Sequence, residues 1–566
     1  MATDEQMFCG TAHSPLADST PHVPLLPNRT VSPKWARFFP HYRAVKDLFD
    51  QVYFTDIAGS VPLNFADAQQ SPEWRAAMDS EIASIRSLDV YKLVPQSALP
   101  AGAKVLPSRW VYAIKSDGRH KARFVVKGFA QREGIDFNEV FSPTVRASTI
   151  RLALAHAVSS GFTLKQLDVR TAFLYASLDE VVFVRPPPGF EERDAAGQPL
   201  VWQLLRSLYG IKQAPRNWHK TLRAHLLSDG AVQSATDACL FLYPDGGFVF
   251  MHVDDILAAH PSSSWLASWS SRMASKFQIT ESDNPSLFLG VSLHIDSAAR
   301  TLTLQQTQYI ESVAARFGLT SSPPVHTPIV PRTSPQREGG MCNAQDTQLY
   351  QQITGALMYA ASWTRPDIAF ACNQLAQHMQ APSAADLEAA KRVERYLYTT
   401  RTLAIRYGRT GDLTAWTDAD WANCPETRRS VTGNLVLYRE GPAEWASRKQ
   451  PMVTLSSCEA EYVAAGSCTQ QVLPLMRLLG ELGAPVKGPT TILCDNTGAV
   501  ALSKDPVHPK RTKHIDVRYH FIREQVEGGF ICMRHCPGKD NLADIFTKAL
   551  SRRLFVTMRD KLLVTP

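Results

Sequence analysis

The sequence contains no apolar run of the roughly 18 residues that a membrane-spanning helix requires. Its first ten residues, MATDEQMFCG, lack the basic start and the apolar stretch of a secretory signal. Only 10 of the 566 residues are cysteine, and they do not form the dense framework of a disulfide-stabilised domain. We therefore expect no membrane association and a reducing compartment.

What is present indicates an ordinary globular chain. Hydrophobic residues make up 44% of the sequence and charged residues 20%, and the length predicts about two to four domains, each with its own core. The net charge of +7 is a mild basic excess. Such an excess is compatible with a polyanionic partner but does not identify one.

The order of patterns along the chain predicts its organisation. Residues 1–60 are rich in Pro, Ser, Thr and His, which is typical of a linker. Ser71-Pro72 precedes a helical apolar pattern, and SRWVYAIKSDGRHKARFVVKG predicts a β-hairpin. Helices and strands then alternate to about residue 310, where a Pro-rich break (SSPPVHTPIVPRTSPQREGG) begins. A helical stretch follows from Gln348 to about Thr400, and LTAWTDADW starts a new strand pattern after Gly411.

Three acids occupy the ends of apolar strand patterns. Asp254 and Asp255 lie between FVFMHV and ILAAH, which places them at the tight bend of a hairpin. Asp168 ends the apolar run of FTLKQLDV. Such carboxylates can hold two Mg²⁺ ions roughly 3.5–4 Å apart, an arrangement suited to phosphoryl transfer. The alternative from the residues alone is a surface turn that carries acids without binding anything.

Twelve segments, which include the stretches around these acids, carry a family resemblance. In chain order they are SPEWRAAMDSEIASI, RWVYAIKSDGRHKARFVVKGFAQREGIDFNEVFSPT, LKQLDVRTAFLYASL, LLRSLYGIKQAPRNWHK, DACLFLYPDGGFVFMHVDDIL, LFLGVSLHID, TGALMYAASWTRPDIAFACNQLAQHM, DADWA, TLSSCEAEYVAA, LCDNTGAV, RTKHIDVRYHFIRE and KDNLADIFTKAL. Over about residues 62–550 the chain resembles the polymerase end of the Pol polyprotein of copia-type LTR retrotransposons.

This resemblance implies an α+β, multidomain fold. A right-hand polymerase with fingers, palm and thumb is followed by an α/β RNase H-like domain. The implied divisions are a disordered or linker-like extension (1–60), reverse transcriptase fingers and palm (61–310), a largely helical thumb or connection (311–410), an RNase H-like domain (411–551) and a C-terminal tail (552–566).

The resemblance also assigns roles in the polymerase part. Asp168 and Asp254 are expected to bind both metal ions, and Asp255 completes the acidic cluster. The expected nucleotide-binding residues are Lys121, Arg123, Lys127, Phe173, Tyr209, Gly210 and Gln213. In this set Phe173 is the aromatic gate beside the sugar, unless it is ordinary helix core. The three cations grip the triphosphate, unless they form a solvated strand face.

A second acid set lies in the C-terminal part. The resemblance implies that Asp418, Glu461, Asp495 and Asp544 form a two-metal RNase H site, with Asp420 and Glu459 as alternatives to the first two. His535 resembles a mobile histidine that helps to protonate or release the product; the alternative is a solvated loop histidine. The residues expected to follow the backbone of the hybrid are Lys510, Arg511, Lys513, His514 and Arg518.

A structural zinc site is a competing interpretation of the C-terminal cysteines. Cys532, His535 and Cys536 offer suitable ligands, and Cys494 lies elsewhere in the module, but no paired Cys-x-x-Cys motif is present. Zinc-knuckle, protease and integrase signatures are absent, so we expect a fragment of a longer polyprotein or a truncated copy. The chain departs from the family at His252, where tyrosine is usual, which predicts active but less processive synthesis.

The expected function is an RNA-directed and DNA-directed DNA polymerase with RNase H activity, using two Mg²⁺ or Mn²⁺ ions in each active site. The alternative is a decayed or domesticated element that binds nucleic acid without turnover. Expected partners are an RNA template, a DNA or tRNA primer, RNA–DNA hybrid and dNTPs, with integrase and capsid proteins of the same element as further candidates. The expected location is a cytoplasmic virus-like particle, the nucleus, or both.

Overall fold

The computed structural model describes residues 61–114, 118–331, 340–424, 426–504 and 513–566, with the side chains of 513–519 excepted. The predicted extension 1–60 lies outside the described residues. Among the described helices, none has the length and apolar character needed to cross a membrane.

The described residues of the first part of the chain form three α-helices and seven strands. They are α1 (Phe65–Ala68), α2 (Pro72–Ser87), β1 (Tyr91–Pro95), β2 (Val105–Leu106), β3 (Ser108–Ile114), β4 (His120–Val126), α3 (Ala147–Ser160), β5 (Thr163–Val169), β6 (Phe183–Val184) and β7 (Leu200–Leu204). The Ser-Pro start is confirmed: the backbone N–H of Trp74 donates to Ser71 Oγ at 3.3 Å, and Pro72 occupies the first turn of α2.

The middle part adds three helices and eight strands. They are α4 (Ala214–Ser228), β8 (Val232–Gln233), β9 (Leu240–Leu242), β10 (Phe248–His252), β11 (Asp255–His260), α5 (Ser263–Ala274), β12 (Ile279–Ser282), β13 (Leu287–Phe288), β14 (Val291–Asp296), β15 (Thr301–Gln305) and α6 (Thr307–Arg316).

The remaining elements follow the Pro-rich break, of which residues 332–339 lie outside the described chain. They are α7 (Ala344–Trp363), α8 (Ala369–Ala376), α9 (Ala384–Thr399), β16 (Ile405–Tyr407), β17 (Thr414–Asp420), β18 (Val431–Tyr438), β19 (Gly441–Lys449), α10 (Ser457–Glu481), β20 (Thr490–Cys494), α11 (Thr497–Leu502), α12 (Lys513–Glu527), β21 (Ile531–His535) and α13 (Arg552–Leu562). The predicted helical stretch is confirmed, with breaks between its three helices.

Within the described part of the chain, the strands form five sheets. One has the order β1-β7-β6-β2, and the predicted hairpin β3–β4 pairs from Ser108 with Val126 to Ile114 with His120. The central six-stranded sheet has the order β12-β5-β11-β10-β9-β8. Every residue of β10 is buried, which explains a continuous apolar run where a half-exposed strand would alternate. A four-stranded sheet has the order β13-β14-β15-β16.

The fifth sheet, which we call the C-terminal sheet, has the order β19-β18-β17-β20-β21. β17, β20 and β21 are parallel to one another, while β18 and β19 are antiparallel to their neighbours. Helix α10 packs against β17 and β18. Because parallel strands end at the same edge, the carboxyl ends of β17, β20 and β21 lie together.

Helix α3 joins the four-stranded sheet that contains β15 to the C-terminal sheet. Almost all of its residues are buried, and it contacts β15, β19 and α10. The buried guanidinium of Arg151 donates to Ala443 O at 2.9 Å and to Ser362 O at 2.8 Å, and it lies 4.0 Å from the centre of the Trp445 ring. These contacts supply the hydrogen bonds that a buried cation needs.

Candidate active sites

The first acid set lies where two neighbouring strands of the central sheet reach the same edge. β5 and β11 are antiparallel, and Asp168 pairs directly with Asp255. His252 also pairs with Asp255, so Val253 and Asp254 form a two-residue turn between β10 and β11. The predicted tight hairpin bend at the acid pair is confirmed.

This turn holds a strained backbone. Val253 has a φ of 56°, which is unusual for a β-branched residue. The carbonyl of Val253 accepts a hydrogen bond of 2.5 Å from Trp218 Nε1, and the carbonyl of Asp254 accepts one of 3.1 Å from the N–H of Val169. Strain of this kind persists only where the surroundings impose it, and it is concentrated at functional sites.

The carboxylates of this set lie at one edge of the sheet, but their oxygens do not form a single close group. Asp168 is exposed, and Asp254 and Asp255 are half-buried. Within the described residues, ligand atoms of these three acids do not all come within 4.8 Å of one another. Carboxylate oxygens are the ligands that Mg²⁺ prefers, so the three side chains offer the right type of ligand atom for that ion. Like charges directly opposite in a sheet repel each other, which favours separated side chains when no cation lies between them.

Three of the predicted nucleotide-binding residues form a cluster beside this edge. The centre of the Tyr209 ring lies 5.1 Å from that of Phe173 and 5.5 Å from the Arg123 guanidinium carbon. Burial raises the pKa of the Tyr209 hydroxyl, and the charges of Asp254 and Asp168 raise it further. Tyr209 therefore lies within electrostatic reach of the first acid set.

The cations of β4 follow the expected alternation. Ala122, Phe124 and Val126 are buried, whereas Lys121 and Arg123 between them are half-buried on the opposite face. Lys127 is also half-buried, directly after the strand ends. The structure thus keeps the strand cations out of the core.

Gly210 and Gln213 make contacts with the chain itself. Gly210 has a φ of 93°, and a Cβ at this position would lie 2.0 Å from Val126 O. The backbone of strand β4 therefore occupies the space beside Gly210. Gln213 is buried; its Nε2 donates to Asp136 O at 3.0 Å, and its Oε1 accepts from Gln131 Nε2 at 3.0 Å. Gly210 therefore lies against the end of β4, and Gln213 joins the start of α4 to the segment that follows β4.

The second acid set converges at the edge of the C-terminal sheet. Asp418 lies on β17, and Asp495 directly follows β20. Trp416 pairs with Leu493, so continuing this parallel register by two residues brings Asp418 level with Asp495. Asp544 lies on a 3₁₀ turn, Leu542–Phe546.

Two overlapping groups of ligand atoms result. In one, oxygens of Asp418, Asp495 and Asp544 lie within 4.8 Å of one another. In the other, Glu461 of α10 lies within the same distance of Asp495 and Cys494. The carboxylates suit Mg²⁺, whereas a thiol does not. Neither group contains the alternatives Asp420 and Glu459. The Glu459 side chain instead accepts a hydrogen bond of 2.7 Å from the N–H of Leu455.

Burial and mutual repulsion perturb these acids. Burial, followed by the charge of Asp418, raises the pKa of Glu461 to about 9 and that of Asp544 to about 7. The same two causes raise the pKa of Asp495. Perturbation of several carboxyl groups by burial and by one another is typical of a functional site.

Sequence reasoning missed Lys548 and Thr547, which both contact Asp418. Lys548 Nζ lies 2.9 Å from Asp544 Oδ1 and 3.8 Å from Asp418 Oδ2. Burial lowers the pKa of the Lys548 ammonium, but the charges of Asp418 and Asp544 outweigh burial, so the net shift is upward. Thr547 Oγ1 donates to Asp418 Oδ2. The spacing of Asp544 and Lys548, four residues apart in LADIFTK, is the signal that would have identified the lysine.

The remaining candidates are only partly brought to this edge. His535 is exposed at the end of β21, where it pairs with Cys494, the residue before Asp495. Lys510 and Arg511 lie outside the described residues, as do the side chains of Lys513, His514 and Arg518. Among the described side chains, no group of three potential metal ligands includes Cys532, His535 or Cys536, so the zinc interpretation gains no support.

Comparison with known proteins identifies relatives of this chain. The family described as "Reverse transcriptase (RNA-dependent DNA polymerase)" matches residues 88–331, a segment that contains the first acid set and ends before the second. The Retrovirus-related Pol polyprotein from transposon RE1 of Arabidopsis thaliana is 37% identical over 518 residues, which is 90% of this chain and 35% of that protein. The corresponding polyprotein from transposon TNT 1-94 of Nicotiana tabacum is 36% identical over 498 residues, 85% of this chain and 37% of that protein.

The chain thus spans about a third of the length of these two relatives. A transposon Ty5-1 protein of Saccharomyces cerevisiae is 32% identical over 320 residues, which cover 54% of this chain and 100% of that protein. Taken with the edge that unites Asp168, Asp254 and Asp255, these matches lead to one conclusion: the chain belongs to the Pol polyproteins of copia-type retrotransposons and carries their reverse transcriptase domain.

Proposed function

We propose that this chain is an RNA-directed and DNA-directed DNA polymerase that also hydrolyses the RNA strand of RNA–DNA hybrids. The observation that carries the polymerase activity is the direct pairing of Asp168 with Asp255 beside the Asp254 turn, inside the segment that matches the reverse transcriptase family. The convergence of Asp418, Asp495 and Asp544 supports the hydrolysis.

In the polymerase site, Asp168, Asp254 and Asp255 would hold two Mg²⁺ or Mn²⁺ ions, whose chemistry is to stabilise the attacking and leaving oxygens of phosphoryl transfer. Lys121, Arg123 and Lys127 bind and orient the triphosphate of the incoming nucleotide through charge-assisted hydrogen bonds. Phe173 lies against Tyr209, and a ring beside the sugar excludes a 2′-OH and so selects dNTPs.

In the hydrolysis site, Asp418, Glu461, Asp495 and Asp544 would hold two Mg²⁺ ions, whose chemistry is to activate a water at an RNA phosphate. The ammonium of Lys548 offsets part of the negative charge before a metal ion binds. His535 is exposed at the same edge, where its imidazole can carry a proton to the departing oxygen.

This function implies an RNA template, a DNA or tRNA primer, RNA–DNA hybrid and dNTPs as partners. Integrase and capsid proteins of the same element are further proposed partners, within a cytoplasmic virus-like particle or in the nucleus. We propose the divisions 61–310 for fingers and palm, 311–410 for thumb or connection and 411–551 for the RNase H-like domain.

A second candidate is an element that binds nucleic acid without turnover.

The experiment compares two isosteric changes in the full chain. Asp254→Asn should reduce Mg²⁺-dependent primer extension on poly-rA by orders of magnitude and leave release of labelled RNA fragments from a hybrid intact. Asp495→Asn should give the opposite pattern. Matched controls are the exposed acids Asp179→Asn and Asp540→Asn, which should change neither activity.

The outcomes separate the candidates. Wild-type protein that is folded and binds hybrid, but neither extends primers nor cuts RNA, supports the element without turnover. Extension without cutting ends the hydrolysis proposal alone. Retained extension by Asp254→Asn shows that the polymerase acids are assigned wrongly.

A further inference from the structure

Beside the second acid set lies an exposed apolar surface, formed by Trp421, Val453 and Leu455, which we call the apolar ridge. Their exposed fractions are 47%, 49% and 76%. The ridge joins two loops: Trp421 Nε1 donates to Thr454 O at 3.1 Å. An indole held in place while half of its surface faces solvent is typical of a binding site rather than of a core.

Both loops are continuous with elements that carry the acids. Trp421 follows the last residue of β17, the strand of Asp418. Leu455 directly precedes Ser456, the N-cap of the helix that carries Glu461. Asn423 lies two residues beyond Trp421, and its Nδ2 donates to the carbonyl of Thr547 at 3.4 Å. The apolar ridge therefore borders the same end of the C-terminal sheet as the acid set.

Cations accompany the ridge. Arg428 and Arg429 are exposed on the loop between β17 and β18, and no ion pair joins them to a carboxylate within the described part of the chain. The loop is held down by the backbone N–H of Cys424, which donates to Arg429 O at 3.2 Å. Arg448, also exposed, pairs with Thr432 on the neighbouring strand. Aromatic surface interleaved with arginines is the chemistry that recognises a nucleic-acid strand.

We propose that the apolar ridge contacts the sugars and bases of an RNA–DNA hybrid next to the phosphate to be cut, while Arg428 and Arg429 contact its backbone. This inference rests on the proposed hydrolysis at the second acid set. A hybrid fits this surface because its wide, shallow minor groove presents sugars to a flat side chain. Three side chains are too few for a stable protein interface, which needs roughly 800 Å² on each partner.

The ridge and the arginines have separable signatures. Trp421→Ala should raise the KM for RNA cutting about fivefold or more with kcat unchanged, because it removes an apolar contact with the hybrid, and leave the salt dependence of binding unaltered. Arg428→Gln should weaken binding and reduce the salt slope by about one. Val232→Ala, at a residue 61% exposed on the central sheet, is the matched control and should change none of these quantities. Primer extension by the same preparations should be unaffected.

A second measurement does not depend on turnover. A benzophenone amino acid at position 455 of the full chain should crosslink on illumination to labelled hybrid in EDTA, and one at position 232 should not. Crosslinking by a chain that never cuts RNA would end the hydrolysis proposal and retain the hybrid contact. No crosslink at position 455 in a chain that extends primers on the same hybrid overturns the inference. A crosslink to a second copy of the chain instead overturns it in favour of a protein interface.

Discussion

Replacing Lys548 by methionine removes an ammonium that lies 2.9 Å from Asp544 Oδ1 and 3.8 Å from Asp418 Oδ2. At an effective dielectric constant of about 20, Coulomb's law assigns these contacts roughly 6 and 4 kcal/mol before desolvation. The Lys548 side chain is 40% exposed, whereas those of its partners are 10% and 3% exposed. Solvent therefore screens much of the attraction, and the net value lies between that of a surface pair and that of a buried one. We expect the metal-free variant to lose about 1–3 kcal/mol of unfolding free energy.

The loss of unfolding free energy in Lys548→Met should grow as the pH rises. Burial and the charge of Asp418 raise the pKa of Asp544 to about 7. Below that value Asp544 takes up a proton in the folded chain, and the repulsion that Lys548 offsets is already relieved. Above it Asp544 is ionised, and the variant lacks the compensating charge. The difference in thermal midpoint between wild type and variant should therefore be small near pH 6 and largest above pH 8, with the folded variant binding protons more tightly.

Magnesium should bind more tightly to the variant than to the wild-type protein. A fixed ammonium competes with a divalent ion for Asp418 and Asp544, so Lys548→Met should reach half-saturation in a Mg²⁺ titration of the thermal midpoint at a concentration about five- to 100-fold lower. Lys487→Met changes an exposed lysine near the opposite end of β20 and is the matched control. Equal midpoints, equal pH profiles and equal Mg²⁺ titrations for Lys548→Met and wild type would refute the reasoning.

Burial raises the pKa of Glu394 from 4.5 to about 8. Between these pH values the folded chain keeps a proton that the unfolded chain releases. The unfolding free energy therefore falls by up to about 1.4 kcal/mol per pH unit as the pH rises across this window. Glu394→Gln should flatten that decline in a thermal-unfolding series, and an unchanged slope would contradict the cause. Gly210→Ala should lower stability by about 2 kcal/mol or more and reduce primer extension, because its Cβ would lie 2.0 Å from Val126 O. Gly230→Ala has the same sign of φ, with open space around its Cβ, and should cost less; equal losses would assign the whole effect to φ. His252→Tyr should lengthen the products made in each binding event, as the family resemblance implies. The histidine is only 5% exposed, so the larger ring should also lower the thermal midpoint. Product length is measured by single-cycle extension with a trap, and shorter products would show that histidine is an adaptation.

Local patterns in the sequence were sufficient for the elements that carry the acids. Ser71-Pro72 predicted the start of α2, and two β-rich runs predicted the hairpin of β3 and β4, because capping and turn chemistry act over a few residues. The apolar runs on either side of Asp254-Asp255 predicted the tight turn for the same reason. The order of twelve motifs, rather than any one of them, identified the family.

Only the tertiary structure decided which side chains meet. Asp168 faces Asp255 across a gap of 86 intervening residues in the chain, and no periodicity predicts that pairing. Gly210 was expected to bind the nucleotide, yet the space beside it is filled by Val126 of the chain's own strand. Lys548 entered the second acid set because a 3₁₀ turn brings Asp544 against Asp418, more than a hundred residues away. Charge and packing between distant segments depend on strand register and burial, which a sequence pattern confined to neighbouring residues does not contain.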